Sequence, residues 1–378
     1  MTDLRSFKPK WVVPPGATIS DIAEERGWNQ MELAKRLGCS EKHLSQLING
    51  KAKISPEMAV TLQRVLGSTA SFWMSLETIY RSELRRLDPL DEDSKEWINQ
   101  MPYREMSKLG LVEDLRKSKA NLHLMLENLL KFFSVGSSNE WRECYASLQA
   151  SFRRSNEEKA DVAAISVWLR MGELEVEKNY RSKPFPKFDR KKFEEALRSI
   201  RDLTRLPFNQ AVSQMQELLC SAGVKLVLVR PLSGGRVSGV TRWMEDGSPV
   251  IQLSLLGKSN DKFWFTFFHE AAHILLHAES KEDRKSIFIE DLRCAHSGDP
   301  QEVEADNWAA DFLIPSERIH DLKCLKDRDS CEIKRFAESI NIHPSIVVGR
   351  MQHEKILPYN HHLNHLKESY EFRAPSSE

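Results

Sequence analysis

After Gly223 the apolar residues of this chain stop recurring at helical spacing. They run instead in short, β-branched, partly alternating segments: KLVLVRPL, RVSGVTRWM and SPVIQLSLL. The pattern on both sides is helical, so the chain must embed one small sheet in a mainly α fold. Glu245-Asp246-Gly247 supplies a hairpin turn between the last two segments, and a small antiparallel sheet is the expectation. From Asp261 to about Ala278 the helical period returns. A charged loop, a strand candidate SIFIED and a second helix from about Pro300 through Phe312 follow, and Pro315 ends that helix. Strands followed by two helices predict a compact α+β unit.

With 378 residues the chain has room for two or three domains, each with its own core. The reading is 1–86 as an N-terminal helical domain, 87–205 as a helical connecting domain, 206–320 as the α+β domain and 321–378 as a helical extension packing on it. IKRFAESINIHPSIVVGRMQH, in that extension, shares an apolar frame with MELAKRLGCSEKHLSQLINGK near the N-terminus and reads as another helix pair. Lys plus Arg and Asp plus Glu both total 55, which removes any global electrostatic argument for a nucleic-acid or membrane partner. No apolar run approaches the roughly 20 residues that span a bilayer, and MTDLRSFKPK lacks a signal-peptide core, so the expectation is a cytoplasmic protein with no membrane partner. The six cysteines form no CxxC pair. They read as reduced thiols, and any metal must be held by histidine and carboxylate.

In WNQMELAKRLGCSEKHLSQLINGK a first helix runs from about Gln30 to Leu37, Gly38 allows a sharp turn, and Ser40 can cap a second helix reaching Ile48. Leu33, Ala34, Leu37, Leu44 and Leu47 pack the pair together, and Glu41, Lys42, His43, Ser45 and Gln46 face outward. That is the layout of a helix-turn-helix, against the plainer alternative of an αα-hairpin with a solvated face. Gln46 can read adenine and Lys42 guanine, while Gln30, Asn49 and Lys51 suit phosphates. Glu41 is tolerated in a groove only where it accepts from cytosine. The first 86 residues carry 13 Arg and Lys against 9 Asp and Glu, a modest basic bias.

The second constellation is FTFFHEAAHILLH, residues 265 to 277. His269 and His273 lie about 6 Å apart along a helix axis and roughly 40° apart around it, so their imidazoles can converge on one ion. Glu270 then stands where it can take a proton from an activated water. The competing reading is a buried core helix whose histidines are satisfied by backbone. A catalytic zinc needs a third protein ligand. The metzincin solution fails because position 276 is Leu and 279 is Glu, and His277, about 12 Å from His269 along the axis, reads as a support behind the ligands or as a surface residue. QEVEADNWAADFLIP is the better source: Glu302 can complete the site and Asp306, on the same helical face, can accept from the far nitrogen of a ligand histidine. Glu304 points about 160° away from Glu302. Arg350, His353 and Tyr359 are candidates for oxyanion or substrate contact, each with a structural alternative. An edge strand, RVSGVTRWM or VIQLS, can hold an extended peptide. Cys294, between the metal helices, is either an oxidation-sensitive modulator or an ordinary loop thiol.

The stretch from PPGATISDIAEERGWNQ through STASFWMSLETIY, about 13 to 85, resembles the HigA-type antitoxin branch of the Xre helix-turn-helix family. Its Pro-Gly start, Gln-x-x-Leu-Ala core, Leu-x-Asn-Gly-Lys close and Phe72-Trp73 element carry the resemblance. It implies a repressor module that binds operator DNA as a homodimer. FWFTFFHEAAHILLH with EVEADNWAADFLIP, over about 206 to 360, resembles the ImmA/IrrE family of metallo-endopeptidases, minimal gluzincin-like proteins. That resemblance implies Zn2+ held by His269, His273 and Glu302, with Glu270 as the general base. Two functions follow as expectations. The first is a regulator with a zinc endopeptidase domain that cleaves a repressor-like protein in stress response, mobile-element control or a toxin-antitoxin system. The second is a HigA-like antitoxin that autorepresses its operon and neutralises a cognate toxin by contact, with a non-proteolytic metal site.

Overall fold

The computed structural model describes residues 11–87, 90–145, 162–181, 184–235, 237–255, 259–278, 288–291, 299–325 and 329–370. Cys294 lies outside the described residues. Contacts divide the chain into two compact units, residues 1–95 and 96–378. None of the described helices is long and apolar enough to cross a membrane.

The first unit is helical: α1 Pro15–Glu25, α2 Gln30–Leu37, α3 Glu41–Ile48, α4 Pro56–Leu66 and α5 Ala70–Leu87. Its boundaries follow local chemistry. Asn29 caps α2 by accepting from the Glu32 N–H at 2.9 Å, and Ser40 caps α3 by accepting from the His43 N–H at 3.2 Å. Gly38 between them has φ 67°, the left-handed backbone that a helix-ending turn needs and that glycine adopts without a Cβ clash. Ile19, Leu33, Leu44, Leu62 and Trp73 make a closed core.

The second unit is built around four strands, β1 Lys225–Leu228, β2 Val237–Trp243, β3 Pro249–Leu253 and β4 Phe288–Asp291, in the order β1-β3-β2-β4. The hairpin joins β2 to β3 antiparallel, and β4 adds antiparallel to β2. β1 lies parallel to β3, with Leu226 opposite Ile251, so the sheet is mixed and not antiparallel as its alternation suggested. Side-chain alternation reports which face a residue occupies and not which neighbour its backbone pairs with. The loop after β1 is long enough to carry the chain past β3. Neither of the strands expected to hold a peptide along an edge takes an edge position. β2 and β3, the strands of RVSGVTRWM and VIQLS, are both interior, whereas β4 stands at one edge of the described sheet.

Both faces of the sheet are covered, which explains why β1 and β3 read as nearly continuous apolar runs. Helix Val162–Tyr180 lies on one face. The Gln252 side chain donates to the Trp168 carbonyl at 2.7 Å, Trp168 Nε1 donates to the Val229 carbonyl at 3.2 Å, and Arg242 pairs with Glu173 at 2.8 Å. The opposite face carries Leu226, Ile251 and Leu253, which share a core with Phe263, Phe267 and Phe268 of the histidine helix, Asn260–Leu276. That helix is buried nearly all round, so its apolar and polar residues alike face protein.

Two devices hold the histidine helix and the acidic helix, Pro300–Leu313, in place. At the first, Ser259 offers no side-chain cap, and the Asn260 N–H donates instead to the Glu368 carbonyl at 3.0 Å while Lys367 Nζ pairs with Asp261 at 2.6 Å. At the second, the Arg201 guanidinium donates to the carbonyls of Phe312, Leu313 and Ile340, at 2.9, 2.8 and 2.8 Å. It thereby satisfies the last carbonyls of the acidic helix, and burial lowers its pKa from the usual arginine value.

Candidate metal centre and nucleic-acid interface

His269 and His273 project from one face of their helix, and Glu302 reaches them from the first turn of the acidic helix. His269 Nε2 is 3.0 Å from His273 Nε2 and 3.1 Å from Glu302 Oε2, and His273 Nε2 is 3.6 Å from Glu302 Oε1. These three residues form the one group among the described residues whose ligand atoms gather closely enough to hold a metal ion. The spacing is compatible with a tetrahedrally held ion such as zinc. Ligands at 2.0–2.1 Å on a tetrahedral ion stand ~3.3 Å apart, close to the observed edges. Two imidazole nitrogens and one carboxylate also leave a fourth position open.

The electrostatics agree with such a site. Burial opposes ionisation of Glu302, but the neighbouring His269 and His273 outweigh it and hold the carboxyl at about 2. Burial also pushes the His273 imidazole below its ordinary range, against the pull of Glu302. Asp306 Oδ1 lies 2.8 Å from His269 Nδ1. A carboxylate only accepts, so Asp306 would keep the proton of a metal-bound His269 on Nδ1 and leave Nε2 to the ion.

Glu270 is fully buried beside this centre, against β2. Its backbone carbonyl accepts from the Thr241 hydroxyl at 2.9 Å. Its side chain occupies space that only a glycine leaves open, since a Cβ on Gly239 would come within 2.5 Å of Glu270 Oε1. Motif reading passed over Gly239, which leaves room for Glu270; a glycine inside a strand, where it weakens pairing, was the available signal.

Other sequence candidates fall elsewhere. Arg350 pairs with Glu354 at 2.8 Å along its own helix, Pro344–His353, while His353 is exposed and Tyr359 is 74% exposed. None of the three belongs to the metal-competent cluster. His277, read either as a support behind the metal ligands or as a surface residue, is buried, with Nδ1 2.9 Å from His273 Nδ1. Glu304 reaches it from the acidic helix, Oε2 standing 3.2 Å from His277 Nε2.

In the first unit α3 presents Glu41, Lys42 and Gln46 to solvent, with Gln30 at the start of α2 and Lys51 just past α3 also exposed. Ser45 is half-buried. Asn49 donates to the Ser45 carbonyl at 2.7 Å, closing the C-terminus of α3. This is the arrangement of a reading helix seated on a supporting one, with short polar side chains outward.

Fold and site together define a helix-turn-helix regulator fused to a metallopeptidase-like domain. The helix-turn-helix family matches residues 19–73, and the IrrE N-terminal-like domain, Peptidase M78, matches residues 223–343. The uncharacterized HTH-type transcriptional regulator YddM of Escherichia coli is 32% identical over 83 residues, which cover 19% of this chain and 88% of that protein. Virulence-associated protein A of Dichelobacter nodosus is 35% identical over 83 residues, covering 22% of this chain and 79% of that protein. The chain belongs to the helix-turn-helix transcriptional regulators and carries an IrrE N-terminal-like peptidase domain. These relatives support the general regulator family and not the narrower HigA-type branch.

Proposed function

We propose that this protein is an operator-binding transcriptional regulator whose second unit is a zinc endopeptidase acting on a repressor-like protein. The observation that carries the reading is the His269, His273 and Glu302 triangle, with zinc-sized edges and the buried Glu270 beside it. Zinc held there supplies Lewis-acid activation of a water and of the scissile carbonyl. Glu270 takes the proton from the attacking water and delivers it to the leaving amide nitrogen. Its packing against Gly239 keeps the carboxylate aimed while water is excluded from the apolar side. The substrate runs as an extended strand along β4, one of the two edges of the described sheet.

On the DNA side, Gln46 and Lys42 meet base edges and Gln30 and Lys51 meet phosphates, with Glu41 and Ser45 at the groove rim. The module works as a homodimer on a two-fold operator, in the cytoplasm. Phe72 and Ile79, seven apart on α5 and 40% and 60% exposed, supply apolar surface for that association.

The test is Glu270→Gln in the full chain, with mass spectrometry of cellular proteins cleaved by wild type and variant. The variant is expected to retain zinc and operator binding and to lose the cleavage products. Unchanged cleavage removes Glu270 from the mechanism, and a wild type that generates no products returns the metal site to a sensing or structural role.

A further inference from the structure

We infer that His277 and Glu304 form a positioning relay that presents His273 to the metal in one tautomer. Glu304 Oε2 lies 3.2 Å from His277 Nε2, and a carboxylate can only accept, so His277 carries its proton on Nε2. His277 Nδ1 is then a bare acceptor. It lies 2.9 Å from His273 Nδ1, which must therefore be the donor. With its proton on Nδ1, His273 presents a bare Nε2, and that atom stands 3.0 Å from His269 Nε2.

The same logic, through Asp306, leaves His269 Nε2 bare. The two Nε2 atoms and the Glu302 carboxylate converge within 3.0 to 3.6 Å of one another, around the position a shared cation would take. Each metal-facing histidine is oriented by its own acceptor chain. One chain is direct, from Asp306, and the other passes through His277 to Glu304. Both carboxylates come from the acidic helix that supplies Glu302, so one helix carries a ligand and the anchors for both histidines.

His277 can serve because a histidine accepts at one nitrogen while donating at the other. The site permits little else: the residue is 6% exposed, whereas the Glu304 side chain at the outer end is 62% exposed. The chain of contacts thus runs from solvent to the metal ligand.

This inference rests on the metal reading above and is tested by zinc affinity, not by turnover. Full-length protein is titrated with zinc against a chromophoric chelator, and the cobalt-substituted form is followed by its d–d spectrum. His277→Phe is expected to weaken zinc binding about 10- to 100-fold, the usual cost of removing an orienting partner. His277→Asn, whose Oδ1 replaces the accepting nitrogen, is expected to stay within about threefold of wild type with an unchanged cobalt spectrum. Glu304→Ala, at an exposed position that spares the fold, is expected to weaken zinc at least about threefold, with Glu304→Gln near wild type because its oxygen still accepts. A folded His277→Phe or Glu304→Ala that binds zinc as tightly as wild type overturns the relay alone. A wild type that takes up no zinc overturns the metal reading and the relay with it. Should His277→Phe fail to fold, the Glu304 pair decides.

Discussion

Gly239 and Glu270 are packed so closely that a single methyl group on the strand would stand 2.5 Å from the Glu270 carboxylate oxygen and 2.8 Å from its Cγ. The strand backbone therefore forms one wall of the compartment in which the proposed base works. Gly239→Ala must push Glu270 off its position or bend β2 away. The expected outcome is a fall in kcat/KM of about 10- to 100-fold, equivalent to ~1.4–2.7 kcal/mol, with zinc stoichiometry unchanged. Wild-type cleavage by the alanine variant would show that the position of Glu270 does not matter to the chemistry.

Arg201 predicts a stability effect far from the metal. Its guanidinium ties the end of the acidic helix to the helix Ser330–Ser339 through three carbonyls. Arg201→Met leaves those carbonyls without this donor and should cost about 2–4 kcal/mol. Arg201→Lys should recover little, because an ammonium cannot reproduce the planar fork. Urea unfolding midpoints measure both, and a midpoint for Arg201→Met equal to wild type would refute the role.

His343 makes stability pH-dependent. Its Nδ1 accepts from the Ser345 N–H at 3.1 Å, capping the helix Pro344–His353, and lies 3.2 Å from the Asn260 amide. Burial lowers its pKa from the ordinary histidine value, against the opposing pull of Glu368 and Asp261. The unfolded chain therefore binds the proton more readily than the folded one. Stability is full above the unfolded value of about 6.5 and declines as the pH falls below it. Thermal melts across pH 8 to 5.5 should show a drop that His343→Asn, which retains a capping acceptor, reduces. An identical slope in the variant would assign the dependence to other groups.

DNA binding separates into two kinds of contact. Lys51→Ala should weaken all sequences alike and lower the salt slope of log K by about 1. Gln46→Ala should cost about 1–3 kcal/mol at one operator base pair and relax preference there. Electrophoretic or fluorescence titrations on the operator and on scrambled DNA distinguish them; a sequence-independent effect of Gln46→Ala would remove it from base readout.

The local features of this protein were written in short stretches of sequence. Asn29, Gly38 and Ser40 mark the ends of α2 and α3 because caps and left-handed turns are satisfied within a few residues, and helical spacing alone puts His269 and His273 on one face. The Glu245-Asp246-Gly247 turn was legible for the same reason, with β2 and β3 meeting across it in an antiparallel ladder.

The tertiary structure decided what depends on contacts between distant residues. Periodicity cannot say that β1 pairs with β3 in parallel, nor that β4 takes an edge, because alternation records a face and not a neighbour. Spacing also separated His277 from His269 along the axis without revealing that it contacts His273, or that Glu304 arrives from another helix to hold it. Angles within the acidic helix set Glu304 apart from Glu302, yet both reach the histidine helix. The approach of two packed helices, rather than the rotation of residues about one axis, determines which side chains meet.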